Sequence, residues 1–389
     1  MSSYILSNAN RFYVAIEAAY GQAAPVIAGN RYPAVQLTAQ QMLEPSRRRD
    51  KTGSRTFLGT PSTARRSTAF ETHTYLTSWS GADAPCYGPL FQAALGATPF
   101  ISSGLTVRQV SNQTLFQTTT PHGLTAGCAI SWNNEIRFAS AIPDALTVSL
   151  NAPFSATLIP GAALGSSVTY ALGTHVPSVT LYDYWDPVTA VQRVITGAAV
   201  DSFALSLNGD VHEFAFRGPA ADIVDSSSFL PGTAGLAQFP AEPASGAFDY
   251  SIVPGHLGQA WIGRSGAQLL TLTAAQIQVK NHLETRHREF GSTLPRAVSA
   301  GPREVIIHFS VLAQSDADSA ALFQSSRTRV PLPAMLQLGQ SQGQLMGIYM
   351  PNVMPEVPHY NDSDARLQWD FHGCQAQGAN NDELFIAFA

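Results

Sequence analysis

Four short matches recur in the same order along the 389 residues, and an internal repeat constrains a fold more tightly than any composition does. Leu37-Thr38-Ala39-Gln40-Gln41-Met42 returns as Leu272-Thr273-Ala274-Ala275-Gln276-Ile277, an offset of 235. Each copy continues into a polar, arginine-bearing loop and then a phenylalanine with Gly-Thr or Gly-Ser, Phe57 to Thr60 and Phe290 to Thr293. A strand-like stretch follows, Arg66 to Leu76 in the first copy and Arg303 to Leu312 in the second. Leu90-Phe91-Gln92 then recurs as Leu322-Phe323-Gln324, an offset of 232. Order and spacing together indicate a tandem duplication. A fifth match breaks the spacing: Phe214-Ala215-Phe216-Arg217-Gly218 resembles Trp369-Asp370-Phe371-His372-Gly373 at an offset of only 155. The first copy therefore carries roughly 77 extra residues, and the stretch from about 103 to 171 reads as an inserted unit. The Gly-, Pro- and Ala-rich segment Gly232 to Gly246 reads as the linker between copies.

Local patterning is mostly that of strands. Phe203, Leu205 and Leu207 alternate with Ser202, Ala204 and Ser206, Asn208-Gly209 offers positive φ for a tight hairpin, and Val211 to Phe216 runs back. Val305, Ile307, Phe309 and Val311 alternate with a mixed second face. Helices are expected only after the repeated strand, at Pro89 to Leu95 before Gly96, and at Asp316 to Ser326 behind a capping Asp. The apolar terminus Glu383 to Ala389 reads as a strand that must be paired.

Asp, Glu, Lys and Arg make up 13% of the chain, against about 25% in an ordinary globular domain. Such depletion suits surfaces covered by other subunits. Two lysines, Lys51 and Lys280, accompany twenty arginines. Residues 1 to 70 carry nine Lys or Arg and three acids, a net of +6, and the remainder thirteen and twenty-four, a net of −11. A basic segment on an acidic body fits head-to-tail contact between copies or nucleic-acid binding. Three widely spaced cysteines, Cys86, Cys128 and Cys374, argue against a disulfide framework or zinc ribbon. No stretch of 18 apolar residues occurs, and Met1 to Asn10 lacks the basic and apolar regions of a signal peptide, so maturation in a cytoplasm is expected.

The usual entry points to catalysis are missing: GxSxG, GxxxxGK[ST], GxGxxG and HExxH do not occur. No enzyme activity, catalytic residue, metal ligand or cofactor is expected. His282 and His287 are five apart and suit neither helical nor strand chelation; His372 and Cys374 fall on one strand face but lack a second pair. His212 and Glu213 point to opposite faces, and Asp362 with Asp364 reads as a turn. The strongest polar feature is the run Arg47, Arg48, Arg49 and Lys51 with Arg55, echoed by Arg286 and Arg288 in the second copy. A solvated loop, a nucleic-acid site and ion pairing with an acidic surface on the next copy all fit it.

Taken in order, these residues resemble the tail tube proteins of tailed bacteriophages. The similarity lies in Tyr13-Val14-Ala15-Ile16-Glu17-Ala18-Ala19-Tyr20-Gly21, in the Arg65-Arg66 strand followed by the helix ending at Gly96, and in Gly301-Pro302-Arg303-Glu304-Val305 opening the second such strand. Thr118 to Gly127, with Pro121, His122 and Gly123 at its turn, is similar to small β-barrel modules that decorate phage structural proteins.

The resemblance implies a mainly β chain of two tandem β-sandwich or half-barrel units, each with one short helix, plus a small inserted β-barrel module on the outside of a tube. The first unit would comprise residues 1–102 and 172–231, the insertion 103–171 and the second unit 247–389. Six units close a ring in that family, so two per chain imply a trimeric, pseudo-hexameric ring, with a hexamer as the other arrangement. It further implies stacked rings in a virion tail, assembled in the host bacterial cytoplasm, with a tape measure protein and a tail terminator as partners. Genomic DNA would pass through the lumen during ejection without specific binding, past an acidic lining. Arg47, Arg48, Arg49, Lys51 and Arg55 would contact the adjacent ring. A tail-tip or baseplate protein recognising host-surface glycan is the alternative, in which Tyr182, Tyr184 and Trp185 would stack on sugar; burial in a core or interface is the preferred reading of these three rings.

Overall fold

The computed structural model describes residues 6, 8–79, 84–185, 191–244 and 250–389. The last two residues of the expected linker and the first three of the expected second unit lie outside them, as do residues 1–5 and 7. The chain is mainly β. Its first strands are β1 (Arg11–Ile16), β2 (Arg31–Tyr32), β3 (Ala34–Pro45) and β4 (Ala64–Tyr75), then helix α1 (Gly88–Leu95) and β5 (Phe100–Ser102). β6 (Val107–Asn112), β7 (Leu115–Thr118), β8 (Ala129–Trp132), β9 (Glu135–Ala141), β10 (Thr147–Leu150) and β11 (Ser167–Ala171) follow. Next come β12 (Val179–Tyr184), β13 (Arg193–Ala198), β14 (Ser202–Leu207), β15 (Glu213–Ala220) and β16 (Asp222–Asp225). The second half has β17 (Gly258–Ile262), β18 (Leu272–Lys280), β19 (Glu284–Thr285), β20 (Val298–Ser299), β21 (Glu304–Leu312) and helix α2 (Ala317–Thr328). β22 (Leu332–Leu338), β23 (Met346–Met354), β24 (His359–Asn361), β25 (Gln368–Ala376) and β26 (Phe385–Phe388) complete it.

One sheet runs β3-β4-β15-β14-β18-β21-β25, then through β23, β26 and β11 to β5. β24 pairs with β25 beside this path, so the order β3-β4-β15-β14 reappears as β18-β21-β25-β24. The ladder sets the correspondence between copies. Thr72 stands opposite Phe216 and Phe309 opposite Phe371, placing β4 and β21 at an offset of 237. Leu37 opposite Thr72 and Ala275 opposite Phe309 then place β3 and β18 at 238. The sequence match at 235 is therefore displaced by three residues. Register follows the buried face rather than residue identity: Leu37 and Ala275 are both buried, whereas Gln40, the sequence match of Ala275, is exposed. Bulges at Leu272/Ala274 and Ile307/Phe309 lie within the displaced stretch.

A second sheet, β16-β13-β12-β1-β2, covers β3, β4, β14 and β15, and α1 sits in the shared core. Helix α1 begins with Pro89 in its first turn and stops at Gly96, whose φ of 102° is open only to glycine at low cost. Helix α2 is capped by Asp316, which accepts from the Ser319 amide at 2.6 Å. The terminal strand β26 is paired on both sides, by β23 and β11.

The hairpin of β14 and β15 is present, but its turn is wider than Asn208-Gly209 alone implies. Pairing ends at Ser206 opposite Glu213 because Val211 is drawn into a bridge with Pro254. Asn208 does adopt positive φ, 63°. Asn208→Gly is expected to be near neutral in urea unfolding, and Asn208→Val to cost about 1–2 kcal/mol, because a β-branched residue is strained there.

β6-β7-β10-β9-β8 form a separate five-stranded sheet over a core of Val107, Phe116, Ile130, Val148 and Leu150. A second apolar cluster joins Ile136 and Phe138 of this sheet to Trp261, Met335, Tyr349 and Phe385, with Phe138 stacked on Tyr349 at 5.3 Å. The sheet is thus docked on the β17-β22-β23-β26 layer of the second copy rather than hanging free.

Candidate assembly surface

The run of strands shared by the two copies ends in open edges at β3 and β24, and β2, β5, β16 and β17 likewise have a single partner strand among the described residues. β3 pairs only with β4, and β24 only with β25. Between them the two copies are fused strand to strand: β14 and β18 form an antiparallel ladder from Ser202 opposite Lys280 to Leu207 opposite Ala275. Leu205 and Ile277, opposite each other in that ladder, are both 0% exposed. The open edges carry apolar groups in water: Met42 is 56% exposed, Leu43 60%, Val357 54% and Tyr360 60%. An unpaired edge bearing such side chains is a template for another strand.

The face of this sheet turned away from the core is polar and internally hydrogen-bonded. Glu71 receives Arg217 Nη2 at 2.8 Å and His73 Nε2 at 2.5 Å, while His73 Nδ1 meets Glu213 at 2.7 Å. Asp370 accepts from Ser310 at 2.5 Å and Gln368 at 2.8 Å. The hydrogen bond from His73 holds the Glu71 carboxyl below the usual range. Partial burial would lower the His73 pKa, yet its two carboxylate partners outweigh this and raise it. On this face the Glu71, Glu213 and Asp370 carboxylates are hydrogen-bonded rather than bare. Since the folded pKa is raised, the His73 contribution to stability is full below the ordinary histidine value near 6.5 and is lost as pH rises through the folded value. Proton-detected titration is expected to find His73 above that ordinary value, and Glu213→Gln to bring it down.

The expected contact loop lies between β3 and β4. Arg47, Arg48, Arg49, Lys51 and Arg55 are all exposed, and Arg48 meets Asp50 at 2.6 Å. The corresponding loop between β18 and β21 is differently placed. Arg286 and Arg288 are exposed, Arg286 pairs with Glu289, and the β19–β20 ribbon organises the base. Thr293 O accepts from the Arg66 amide at 2.8 Å, so this loop reaches across to β4 of the first copy. Phe290 is 99% exposed and its counterpart Phe57 77%.

Other sequence candidates separate in space. His122 is buried in its turn, taking the Leu124 amide on Nδ1 at 2.9 Å and facing Asp144 O through Nε2 at 3.1 Å, while Pro121 and Gly123 are exposed. His372 and Cys374 do not share a face: Gly373, at φ 68°, interrupts the alternation, leaving His372 exposed and Cys374 buried. His282 Nδ1 faces Pro302 O, and the Asn361 side chain organises the Asp362–Asp364 turn. Tyr182 and Tyr184 are buried, with Tyr13 edge-on to Tyr184, so neither offers a ring to sugar. Among the described residues no three His, Cys, Asp or Glu side chains are grouped to hold a metal.

Several buried charges escaped the sequence reading, Glu17 and Arg137 among them. Glu17 accepts from Ser178 Oγ, Thr180 Oγ1 and the Gly197 and Gly21 amides at 2.6–2.9 Å; burial raises its pKa against these donors. Arg137 is fully buried between Trp261 and Phe154, 3.2 Å from Glu135. The only sequence signal for it is Glu135-Ile136-Arg137, two opposite charges on one face of a strand.

Fold and edges together define a mainly β chain in which two like-ordered sheet segments are fused side by side. No model of a known family and no curated protein matches the chain.

Proposed function

We propose that this chain is a structural, self-assembling subunit of a phage tail tube, three copies of which close a ring of six like-ordered segments. The observation that carries the reading is the β14–β18 ladder, which joins the two segments edge to edge and leaves one edge of each kind, β3 and β24, open at opposite ends. A heterologous joint closes into a ring where its repeated rotation completes a turn, and closure then pairs β3 with β24 all the way round. The resemblance to tail tube proteins supports stacking of such rings into a virion tail, with a tape measure protein and a tail terminator as partners. The paired polar face suits a lining past which DNA moves without being held. No catalytic role is assigned.

Negative-stain microscopy with light scattering of the purified 41.5 kDa chain is expected to show rings or tubes with a central channel, built in multiples of three copies. A persistent monomer at high concentration overturns the reading. Replacing Arg47, Arg48 and Arg49 by Ser is expected to shorten tubes at low salt, with the difference shrinking at high salt as screening removes the ion pairs. Equal tube lengths at low salt would exclude this loop from stacking.

A further inference from the structure

We infer that β24 of one copy pairs antiparallel with β3 of the next in a defined register, with His359 opposite Gln40 and Asn361 opposite Thr38. This rests on the tube reading and specifies the joint it requires. The argument transposes the internal ladder. Phe216 and Phe371 correspond at 155, which carries β14 onto β24, and the 238 offset carries β18 onto β3. Ala204 opposite Gln278 becomes His359 opposite Gln40, and Leu205 opposite Ile277 becomes Tyr360 opposite Ala39.

Three features bear on this register. The first is facing. Tyr360 lies on the core side, its ring 6.2 Å from Phe323 and 6.4 Å from Trp369, and Ala39 packs against the main core, so the two belong to the same face. A one-residue slip would put Tyr360 opposite a residue of the other face. The second is apolar cover: Val357, 54% exposed, falls opposite Met42, 56% exposed. The third is the loop. Thr293 O takes the Arg66 amide within the chain. Its sequence counterpart Thr60 would take the Arg303 amide of the next copy, bringing exposed Phe57 and Leu58 against a neighbour. Pro358 has no N–H, so the ladder begins at His359.

Opposed residues in an antiparallel ladder have Cα atoms about 4.5–5.5 Å apart, within disulfide range. The double variant Gln40→Cys/His359→Cys is expected to give disulfide-linked trimers on a non-reducing gel after mild oxidation of assembled rings. Either single variant should give none, because Cys128 and Cys374 are buried and burial pushes the Cys86 and Cys374 thiols up to about 11. Both new sites are exposed in the isolated chain, and circular dichroism checks that the variants fold. Rings that form without this cross-link, or that link as well through Thr38→Cys/His359→Cys, overturn the register while leaving the tube reading intact. Wild-type protein that forms no ring overturns both.

Discussion

Phe91→Ala is expected to lower unfolding free energy by about 3–5 kcal/mol in urea titration, a large share of the total for an ordinary domain. Phe91 is 0% exposed and occupies the point where the layers of the first unit meet. Its ring lies 5.3 Å from Phe203, Phe214 and Phe216, 5.1 Å from Phe388 and 6.0 Å from Tyr170, mostly edge to face. Removal forfeits both the transfer of the ring and the contacts around the resulting cavity, and strands on several sides cannot collapse together to fill it. Phe323 is its sequence counterpart, yet it is only partly buried and sits beside the open β24 edge against Tyr360 and Trp369. Phe323→Ala is therefore expected to cost no more than about 1–2 kcal/mol in the isolated chain. Equal losses for the two variants would contradict the asymmetry described for the helices.

Arg137→Met is expected to destabilise by about 3–5 kcal/mol, with Arg137→Met/Glu135→Gln recovering more than half. Arg137 Nη1 donates to Gln337 Oε1 at 3.0 Å and Ile136 O at 2.7 Å, and Nε donates to Pro153 O at 2.9 Å. Its guanidinium lies 4.0 Å over the Trp261 ring, and burial brings its pKa down to about 10 against the opposing pull of Glu135. Methionine fills much of the volume but leaves Glu135, 6% exposed, as an uncompensated buried charge. Glutamine at 135 removes that charge and can still bond Ser155, whose amide approaches Glu135 at 2.8 Å. A single-variant loss below about 1 kcal/mol would show that the charge is solvated and that the inserted sheet is not held by this joint.

The local elements were legible because their signals are local. Alternation of Phe203, Leu205 and Leu207 marks a strand, Asp316 and Gly96 end helices by satisfying or freeing backbone groups close by, and Pro121-His122-Gly123 makes its own turn. The candidate surface was legible only in part. The arginine loop between β3 and β4 stood out by charge, whereas the open edges did not. Tyr360 looks like the buried Leu205 in sequence, and the absence of a strand beyond β24 leaves it in water; Met42 looks like the buried Ile277 but stands at the ladder position of exposed Lys280.

By itself the sequence determined that the chain is mainly β, that a short helix follows a repeated strand twice, and that order within each copy is alike. Each of those depends on residues within a few positions of one another. Tertiary structure alone decided the β14–β18 joint, the shift from 235 to 238, the separation of His372 from Cys374 and the burial of Arg137. These depend on which strand lies alongside which, across 68 to 78 residues in the case of β14 and β18. That choice follows from matching buried faces across the whole sheet, a global condition that no short window of residues contains.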